Sequence, residues 1–180
     1  MRGESLFVVT YPEISVRDRA WLETFRQIND PNASKITAHF TLAFAVSGLP
    51  VESLCNHVAS VSRREPSIEF TCRHVMVGHD HAKPLSYVFL VPDEGLSAVN
   101  LLRQRLHVGP LRDYLKPEIP YIPHITLGTA ADAEQAQEHC SRLNNQMSPV
   151  HGVLTGLTLV KVTTDTVQDI ETFPLLSTLG

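Results

Sequence analysis

The sequence predicts an α+β fold in which two mainly antiparallel sheets line a central cleft and helices cover the outside. Short segments rich in Val, Leu, Ile and Phe alternate with longer segments whose apolar residues recur at helical spacing, as in mixed folds with helices packed on antiparallel sheets. The order of these segments in the first half of the chain returns in the second half. We therefore interpret residues 1–180 as one bilobal, duplicated domain, with pseudo-repeats at about residues 5–84 and 85–175.

Local patterns predict the elements of the first half. Residues 5–11 are apolar and β-branched and end at Pro12, which is typical of a buried strand. Ser15 is an acceptable N-cap for a helix over residues 15–29, which Asp30-Pro31-Asn32 then ends. The remaining predicted elements are a strand at 36–46, a helix after Pro50, and a hairpin formed by 68–77 and 85–91 around a polar loop at 78–84.

The second half follows the same order. Its predicted elements are a helix at 96–107, an irregular stretch at 109–123, a strand at 124–129, a helix at 131–143, and strands at 153–162 and 167–173. In both halves the first strand ends with a proline and an acidic residue, Pro12-Glu13 and Pro92-Asp93. An internal duplication is the simplest explanation of this agreement.

Composition narrows the functional classes. The chain is 43% hydrophobic and has a net charge of −4 with neutral histidines, without the basic stripe expected of a protein that follows a long nucleic-acid backbone. No apolar run approaches the roughly 20 residues of a membrane-spanning helix, and the first nine residues fit a strand better than a signal peptide. Three cysteines without metal-ligand spacing favour a reducing cytoplasm over a disulfide framework.

Two five-residue motifs match between the halves. They read His39-Phe40-Thr41-Leu42-Ala43 and His124-Ile125-Thr126-Leu127-Gly128. Because alternate residues of a strand share a face, each His should lie beside its Thr, with the small fifth residue leaving room next to them. One His-x-Thr triplet would be weak evidence, since a half-exposed structural histidine is the more ordinary explanation. Its recurrence on equivalent strands favours a functional pair.

The chemistry of such a pair is general acid–base catalysis at phosphorus. One neutral histidine can take a proton from water or a ribose hydroxyl, while a protonated one gives a proton to the leaving oxygen. The two threonine hydroxyls can donate hydrogen bonds to non-bridging phosphate oxygens. This scheme needs neither metal nor cofactor. The sequence does not tell which histidine is the acid, because the two motifs are near copies.

At these motifs the chain resembles the 2H phosphoesterases, which include bacterial RNA 2′,5′-ligase-like proteins and 2′,3′-cyclic nucleotide phosphodiesterases. The resemblance covers essentially the whole length, with two H-x-T strands separated by 85 residues. It implies that His39 and His124 are acid and base, that Thr41 and Thr126 hold the phosphate, and that the protein is bilobal, metal-independent and monomeric. One departure concerns the segment after the second motif, Thr129-Ala130-Ala131, where many RNA-ligase-like members carry a basic residue.

Other candidates have weaker signals. Tyr11 and Tyr121 could stack on a base at the cleft mouth, or could equally serve packing. His79-Asp80-His81 could in principle ligate a metal, but it lacks a further ligand at a persuasive spacing, and a solvated hairpin tip is the preferred interpretation. No Gly-x-Gly-x-x-Gly, phosphate-binding P-loop or Gly-x-Ser-x-Gly motif is present.

We therefore predict a metal-independent phosphodiesterase that hydrolyses a small or terminal 2′,3′-cyclic or 2′,5′-linked nucleotide phosphodiester. Two alternatives stay open: a non-catalytic module that binds nucleotides in the same cleft, and an RNA 2′,5′-ligase. The expected partner is a small nucleotide or an RNA terminus. Extended nucleic acid and membrane are not expected partners.

Overall fold

The structure is a computed structural model that describes residues 4–79 and 85–177. Its strands are β1 (Ser5–Thr10), β2 (Pro12–Ile14), β3 (Phe40–Val46), β4 (Ile68–Cys72), β5 (His74–His79), β6 (Ser86–Val91), β7 (Ile125–Ala130), β8 (Val150–Leu154), β9 (Gly156–Val162) and β10 (Val167–Pro174). Its helices are α1 (Val16–Asn29), α2 (Val51–Ser62), α3 (Leu96–Leu106) and α4 (Ala133–Gln146), with a 3₁₀ helix at Gly109–Tyr114. Most of the predicted hairpin loop, residues 80–84, lies outside the described residues.

Two antiparallel sheets organise the chain, which confirms the predicted fold class. The larger has the order β10-β9-β1-β3-β7-β6-β5, and the smaller has the order β2-β8-β4. Each sheet contains strands from both halves of the sequence, since β9 lies beside β1 and β5 lies beside β6. The halves are thus interleaved rather than each forming a sheet of its own.

Two predicted long strands are each divided in the structure. The stretch at 68–77 becomes β4 in the small sheet and β5 in the large one, and the stretch at 153–162 is divided in the same way between β8 and β9. Neither stretch contains a proline or a two-residue hairpin turn between its two strands, so the sequence has no strong signal for the passage from one sheet to the other. The sequence pattern did not predict strand β2, because three residues are too few to show a strand periodicity.

The helices enclose the core and fix the strands that carry the motifs. Helix α1 packs on β7, α3 on β3 and β4, α2 on β9 and β10, and α4 on β5 and β6. Ser15 caps α1 as predicted, its hydroxyl accepting from the Asp18 amide at 3.0 Å. The Phe40 ring meets the Phe70 ring edge-on, with centroids 5.3 Å apart, and so joins the two sheets. None of the helices in the described part of the chain has the length and apolar character needed to cross a bilayer.

A β-bulge follows the Thr of each motif. Two consecutive residues of β1 pair with Thr41 and Ala43 of β3, so that one residue of β3 between them has no partner. Two consecutive residues of β6 pair with Thr126 and Gly128 of β7 in the same way. The extra residue is a leucine in both cases, Leu42 or Leu127, and it shifts the residue after it to the buried side. The prediction that the small fifth residue leaves room beside His and Thr is therefore wrong.

The buried position of Gly128 lets α1 approach β7. A Cβ on Gly128 would lie 2.7 Å from the Asn29 Cβ and 3.0 Å from the Asn29 carbonyl oxygen. The glycine thus serves the packing of a helix against the strand that follows His124.

We expect Gly128→Ala to lower the free energy of unfolding by about 1–3 kcal/mol, because the added methyl overpacks against helix backbone that cannot move aside. Urea denaturation followed by circular dichroism measures this change. Gln137→Ala, on the exposed face of α4, is the control and should stay within about 0.5 kcal/mol of the unsubstituted chain. Equal stability of both variants would contradict the close approach of α1.

Candidate active site

The two motifs meet at the centre of the large sheet. Strands β3 and β7 are antiparallel, with Phe40 paired to Ile125. Extending this register by one residue in each direction sets the His of each motif opposite the Thr of the other, His39 with Thr126 and Thr41 with His124. Directly opposed residues share a sheet face with Cβ atoms roughly 4.5–5.5 Å apart. The four side chains therefore form one compact group around an approximate two-fold axis.

The burial of these residues agrees with that arrangement. Phe40 and Ile125 are fully buried in the core, whereas the four polar residues on the other face are half-buried. Each histidine directly precedes its strand, which begins at Phe40 or Ile125. The sequence predicts both histidines within the strands, but β3 begins at Phe40 rather than at residue 36, and β7 begins at Ile125 rather than at residue 124.

Both imidazoles are held by a carbonyl two residues upstream. The Nδ1 of His39 lies 2.7 Å from the Thr37 carbonyl oxygen, and the Nδ1 of His124 lies 2.6 Å from that of Ile122. A carbonyl can only accept, so Nδ1 carries a proton in each ring. In the neutral tautomer Nε2 then keeps its lone pair, and this is the nitrogen available to accept or donate a proton at the group of four side chains.

Burial disfavours the charged form of both rings. It lowers the pKa of His39 below 6.5, opposed by the hydrogen bond to Thr37. It lowers the pKa of His124 further, to about 4, and a charge on His39 contributes in the same direction. The two imidazoles are thus close enough to influence each other's protonation. A pair in which one ring is neutral while the other takes a proton is what acid–base catalysis requires.

His124 lies flat against the Phe89 ring of β6, with centroids 3.6 Å apart and an interplanar angle of 18°. Phe89 is paired with Thr126 across β6 and β7, and its ring occupies the space over Gly78 of β5, where any Cβ would overlap it. A cation over an aromatic face gains about 0.5–1 kcal/mol at exposed sites. The shift of the His124 pKa to about 4 corresponds to roughly 3 kcal/mol, so desolvation outweighs that attraction.

His39 lies beside a buried ion cluster on α1. Arg26 is 1% exposed and pairs with Glu23 at 2.9 Å and Asp30 at 2.8 Å. These three groups act on the protonation of His39, with Arg26 lowering its pKa and the two carboxylates raising it. No carboxylate of the described residues is hydrogen-bonded to His124 or contributes to its pKa shift. The two histidines therefore have near-identical sequence contexts and different electrostatic surroundings.

Tyr11 and Tyr121 both lie next to the motifs, with their hydroxyls bonded to protein. Tyr11 donates to Asp169 at 2.7 Å and meets the His39 ring edge-on at 6.3 Å. Tyr121 donates to the Thr41 carbonyl at 2.9 Å and lies under the Arg103 guanidinium, whose carbon is 4.2 Å from the ring centroid. The Tyr121 hydroxyl thus contacts the backbone of the first motif, and the Tyr11 ring contacts the His39 imidazole. Stacking of either ring on a base stays a prediction.

The histidine-rich loop is only partly described, since Asp80 and His81 lie outside the described residues and His79 is an exposed residue at the end of β5. Within residues 4–79 and 85–177, no group of three or more His, Cys, Asp or Glu side chains is placed as metal ligands would be. The predicted preference for a solvated loop stays a prediction.

The family model of the 2′-5′ RNA ligase superfamily matches residues 12–166. The chain belongs to this superfamily. The resemblance stated from the two H-x-T motifs is thereby confirmed. A search of curated proteins gives no significant match.

Several solved structures share the fold of this chain. A phosphoesterase crystal structure has a TM-score of 0.62 at 17% identity, covering 96% of this chain and 98% of the other. Escherichia coli LigT complexed with 3′-AMP also gives 0.62, at 18% identity and the same coverage. Kluyveromyces marxianus Usb1 gives 0.52 at 10% identity, covering 97% of this chain and 99% of that one. At such identities the similarity concerns the fold.

The sequence analysis did not predict three residues that lie near the two His-x-Thr motifs: Arg26, Phe89 and Gly78. Arg26 occupies the helical stripe of Leu22 and Phe25, where a lone arginine among apolar residues could have signalled a buried ion pair. Phe89 and Gly78 gave no comparable signal, because their proximity to His124 depends on which strands pair.

We expect His124 to titrate near pH 4 and His39 below pH 6.5 in the free protein, because burial disfavours both imidazolium ions. The C2 proton shifts of the histidines, followed by NMR over acid and neutral pH, measure this order. The resonances are assigned by their loss in His39→Gln and His124→Gln. Titration of His39 and His124 together at the ordinary histidine value of 6.5 would show that the two rings are solvated.

Proposed function

We propose that this chain is a metal-independent phosphodiesterase that hydrolyses a small or terminal 2′,3′-cyclic or 2′,5′-linked nucleotide phosphodiester. The observation that carries the proposal is the cross-strand group of His39, Thr41, His124 and Thr126, set by the pairing of Phe40 with Ile125. Membership of the 2′-5′ RNA ligase superfamily supports phosphodiesterase or ligase-like chemistry in general. Hydrolysis of these particular linkages is the more specific part of the proposal.

The group can serve both sides of an in-line displacement. A phosphate placed between the motifs would have one imidazole Nε2 on the side of the attacking water and the other on the side of the leaving ribose oxygen. The Thr41 and Thr126 hydroxyls would donate to the non-bridging oxygens, whose charge grows in the transition state. Water forms a new P–O bond and loses its proton to one imidazole, while the ribose oxygen leaves with the proton of the other.

Nucleotide ligands in fold relatives support the choice of substrate class. Structures of Escherichia coli LigT hold 3′-AMP and ATP, and one of Kluyveromyces marxianus Usb1 holds uridine monophosphate. The aromatic rings of Phe89 and Tyr87, stacked at 5.7 Å beside His124, provide an apolar surface near the phosphate position. Because the net charge is −4, we infer a short or terminal ligand, and we propose that the protein acts as a cytoplasmic monomer.

We expect His39→Ala and His124→Ala each to lower kcat by about 10²–10⁴, the usual contribution of a general acid or base. Thr41→Ala and Thr126→Ala should each cost about 10²–10³ through loss of a hydrogen bond to the developing charge. The assay follows 2′,3′-cyclic mononucleotides, ADP-ribose 1″,2″-cyclic phosphate and 2′,5′-oligoadenylate in the presence of EDTA. His74→Ala is the matched control and should keep full activity.

Three outcomes of that assay would contradict the proposal. Activity abolished by EDTA and restored by added metal would overturn metal independence. Nucleotide binding without turnover of any substrate would indicate a binding module. Joining of RNA ends under conditions where no hydrolysis occurs would indicate a 2′,5′-ligase.

A bell-shaped dependence of kcat/KM on pH is a second expectation. Because the pKa values of His39 and His124 are both lowered below 6.5, the acid loses its proton below that value, and the rate should already be falling as the pH approaches 6.5. It should also fall below about pH 4, where the base is protonated. Initial rates with a 2′,3′-cyclic mononucleotide in overlapping buffers measure the profile. A rate constant that is flat from acid to alkaline pH would count against two titrating histidines.

A further inference from the structure

The ion cluster on α1, formed by Glu23, Arg26 and the C-cap residue Asp30, is joined to the backbone of the second motif and to that of the segment that leads into the first. Arg26 donates through Nε to the Thr126 carbonyl at 3.2 Å and through a terminal nitrogen to the Ile36 carbonyl at 2.9 Å. Helix α1 thereby links the second motif to the segment that leads into the first. An arginine suits this task because its donors point in several fixed directions.

Glu23 completes the connection to His39. Its Oε1 accepts from the Ala38 amide at 2.6 Å while its Oε2 pairs with Arg26. The segment held in this way includes Thr37, whose carbonyl accepts from the His39 imidazole at 2.7 Å. The cluster therefore fixes the residue that orients the His39 ring.

The charge of the α1 cluster is not balanced. One guanidinium faces two carboxylates, so the cluster has one excess negative charge beside His39. Among residues 4–79 and 85–177, the groups that face His39 are this cluster, the Thr37 carbonyl, the edge of the Tyr11 ring and His124. In the same part of the chain, the groups that face His124 are the Phe89 ring, the Ile122 carbonyl and His39. Arg26 lowers the pKa of His39, whereas Asp30 and Glu23 both raise it, and these two carboxylates have no counterpart among the groups that act on His124.

Resting on the phosphodiesterase function proposed above, we propose that the Glu23–Arg26–Asp30 cluster is a positioning device that reserves the catalytic proton for His39. His39 is then the general acid that protonates the leaving ribose oxygen. His124, flat against Phe89 and without a carboxylate partner in the described residues, is the general base that deprotonates water. The environment thus separates two histidines whose motifs are alike.

The proton balance of this assignment is complete. As the water oxygen bonds to phosphorus, its proton passes to Nε2 of His124. As the bond from phosphorus to the ribose oxygen breaks, that oxygen takes the proton from Nε2 of His39. The step leaves His124 protonated and His39 neutral, and exchange with solvent restores the starting state.

The first experiment is a histidine NMR titration with inorganic phosphate bound, which requires no turnover. His39 should titrate above His124, and Glu23→Gln should lower the His39 midpoint by roughly half a unit to one unit while leaving His124 unchanged. The substitution keeps an oxygen for the Ala38 amide and removes the charge together with the oxygen that accepts from Arg26, so Asp30→Asn is measured beside it as a second removal of one carboxylate charge. Asp18→Asn, in the first turn of the same helix, is the matched control and should shift neither ring.

The second experiment separates acid from base by the leaving group. A p-nitrophenyl nucleoside phosphodiester expels an anion that needs no proton, so His39→Ala should keep activity on it within about tenfold. His124→Ala should lose activity on both this substrate and a 2′,3′-cyclic nucleotide by about 10²–10⁴. A pH profile alone cannot assign these roles, because either distribution of one proton gives the same bell.

Three outcomes would overturn the assignment. These are a higher titration midpoint for His124 than for His39, an equal shift of both rings in Glu23→Gln, and rescue of His124→Ala rather than His39→Ala by the activated substrate. If Glu23→Gln fails to fold, Asp30→Asn removes the other carboxylate charge and is read in the same way. If no substrate is turned over, the proposed function fails, while the order of the two midpoints still tests the cluster.

Discussion

The backbone pairing of Phe40 with Ile125 is the register that joins β3 to β7, and the geometry of the candidate site depends on it. This pair brings the two halves of the larger sheet together and sets each motif's histidine opposite the other's threonine. Shifting the register by one residue would turn the polar side chains to the core and the apolar ones to solvent. The complete burial of Phe40 and Ile125 opposes that shift, so the apolar core fixes the polar site on the opposite face.

The bulges at Leu42 and Leu127 show how the same strands serve two purposes. Before each bulge the strand alternates between the site face and the core, and at the bulge two successive residues turn inward. The glycine or alanine that follows lies under a helix, where Gly128 allows Asn29 to approach within contact distance. Helix α1 can then bring Arg26 to the Thr126 carbonyl. Close packing of a helix and placement of a charged cluster thus follow from one irregularity in a strand.

Approximate symmetry of the motifs coexists with asymmetry of their surroundings. Both imidazoles use the same i−2 carbonyl to fix the ring, so their orientation follows from the motif itself. Their electrostatic environments come from different elements, α1 for His39 and β6 for His124. A catalyst that needs one proton donor and one acceptor requires such a difference, and the two motifs alone do not supply it.

The sequence by itself predicted the fold class, most of the order of elements, the family and the four residues of the candidate site. Hydrophobic periodicity and a repeated five-residue motif are local properties, and local properties can be read along the chain. Only the tertiary structure decided which strands are neighbours, where the bulges lie, and which side chains surround each imidazole. Phe89 contacts His124 from 35 positions away in the sequence, and Arg26 contacts Thr126 from 100 positions away. Strand pairing and helix packing produce these contacts, and neither can be recognised from the periodicity of the sequence. For the same reason the likeness of the two motifs concealed the difference between the histidines, since that difference comes from residues outside both motifs.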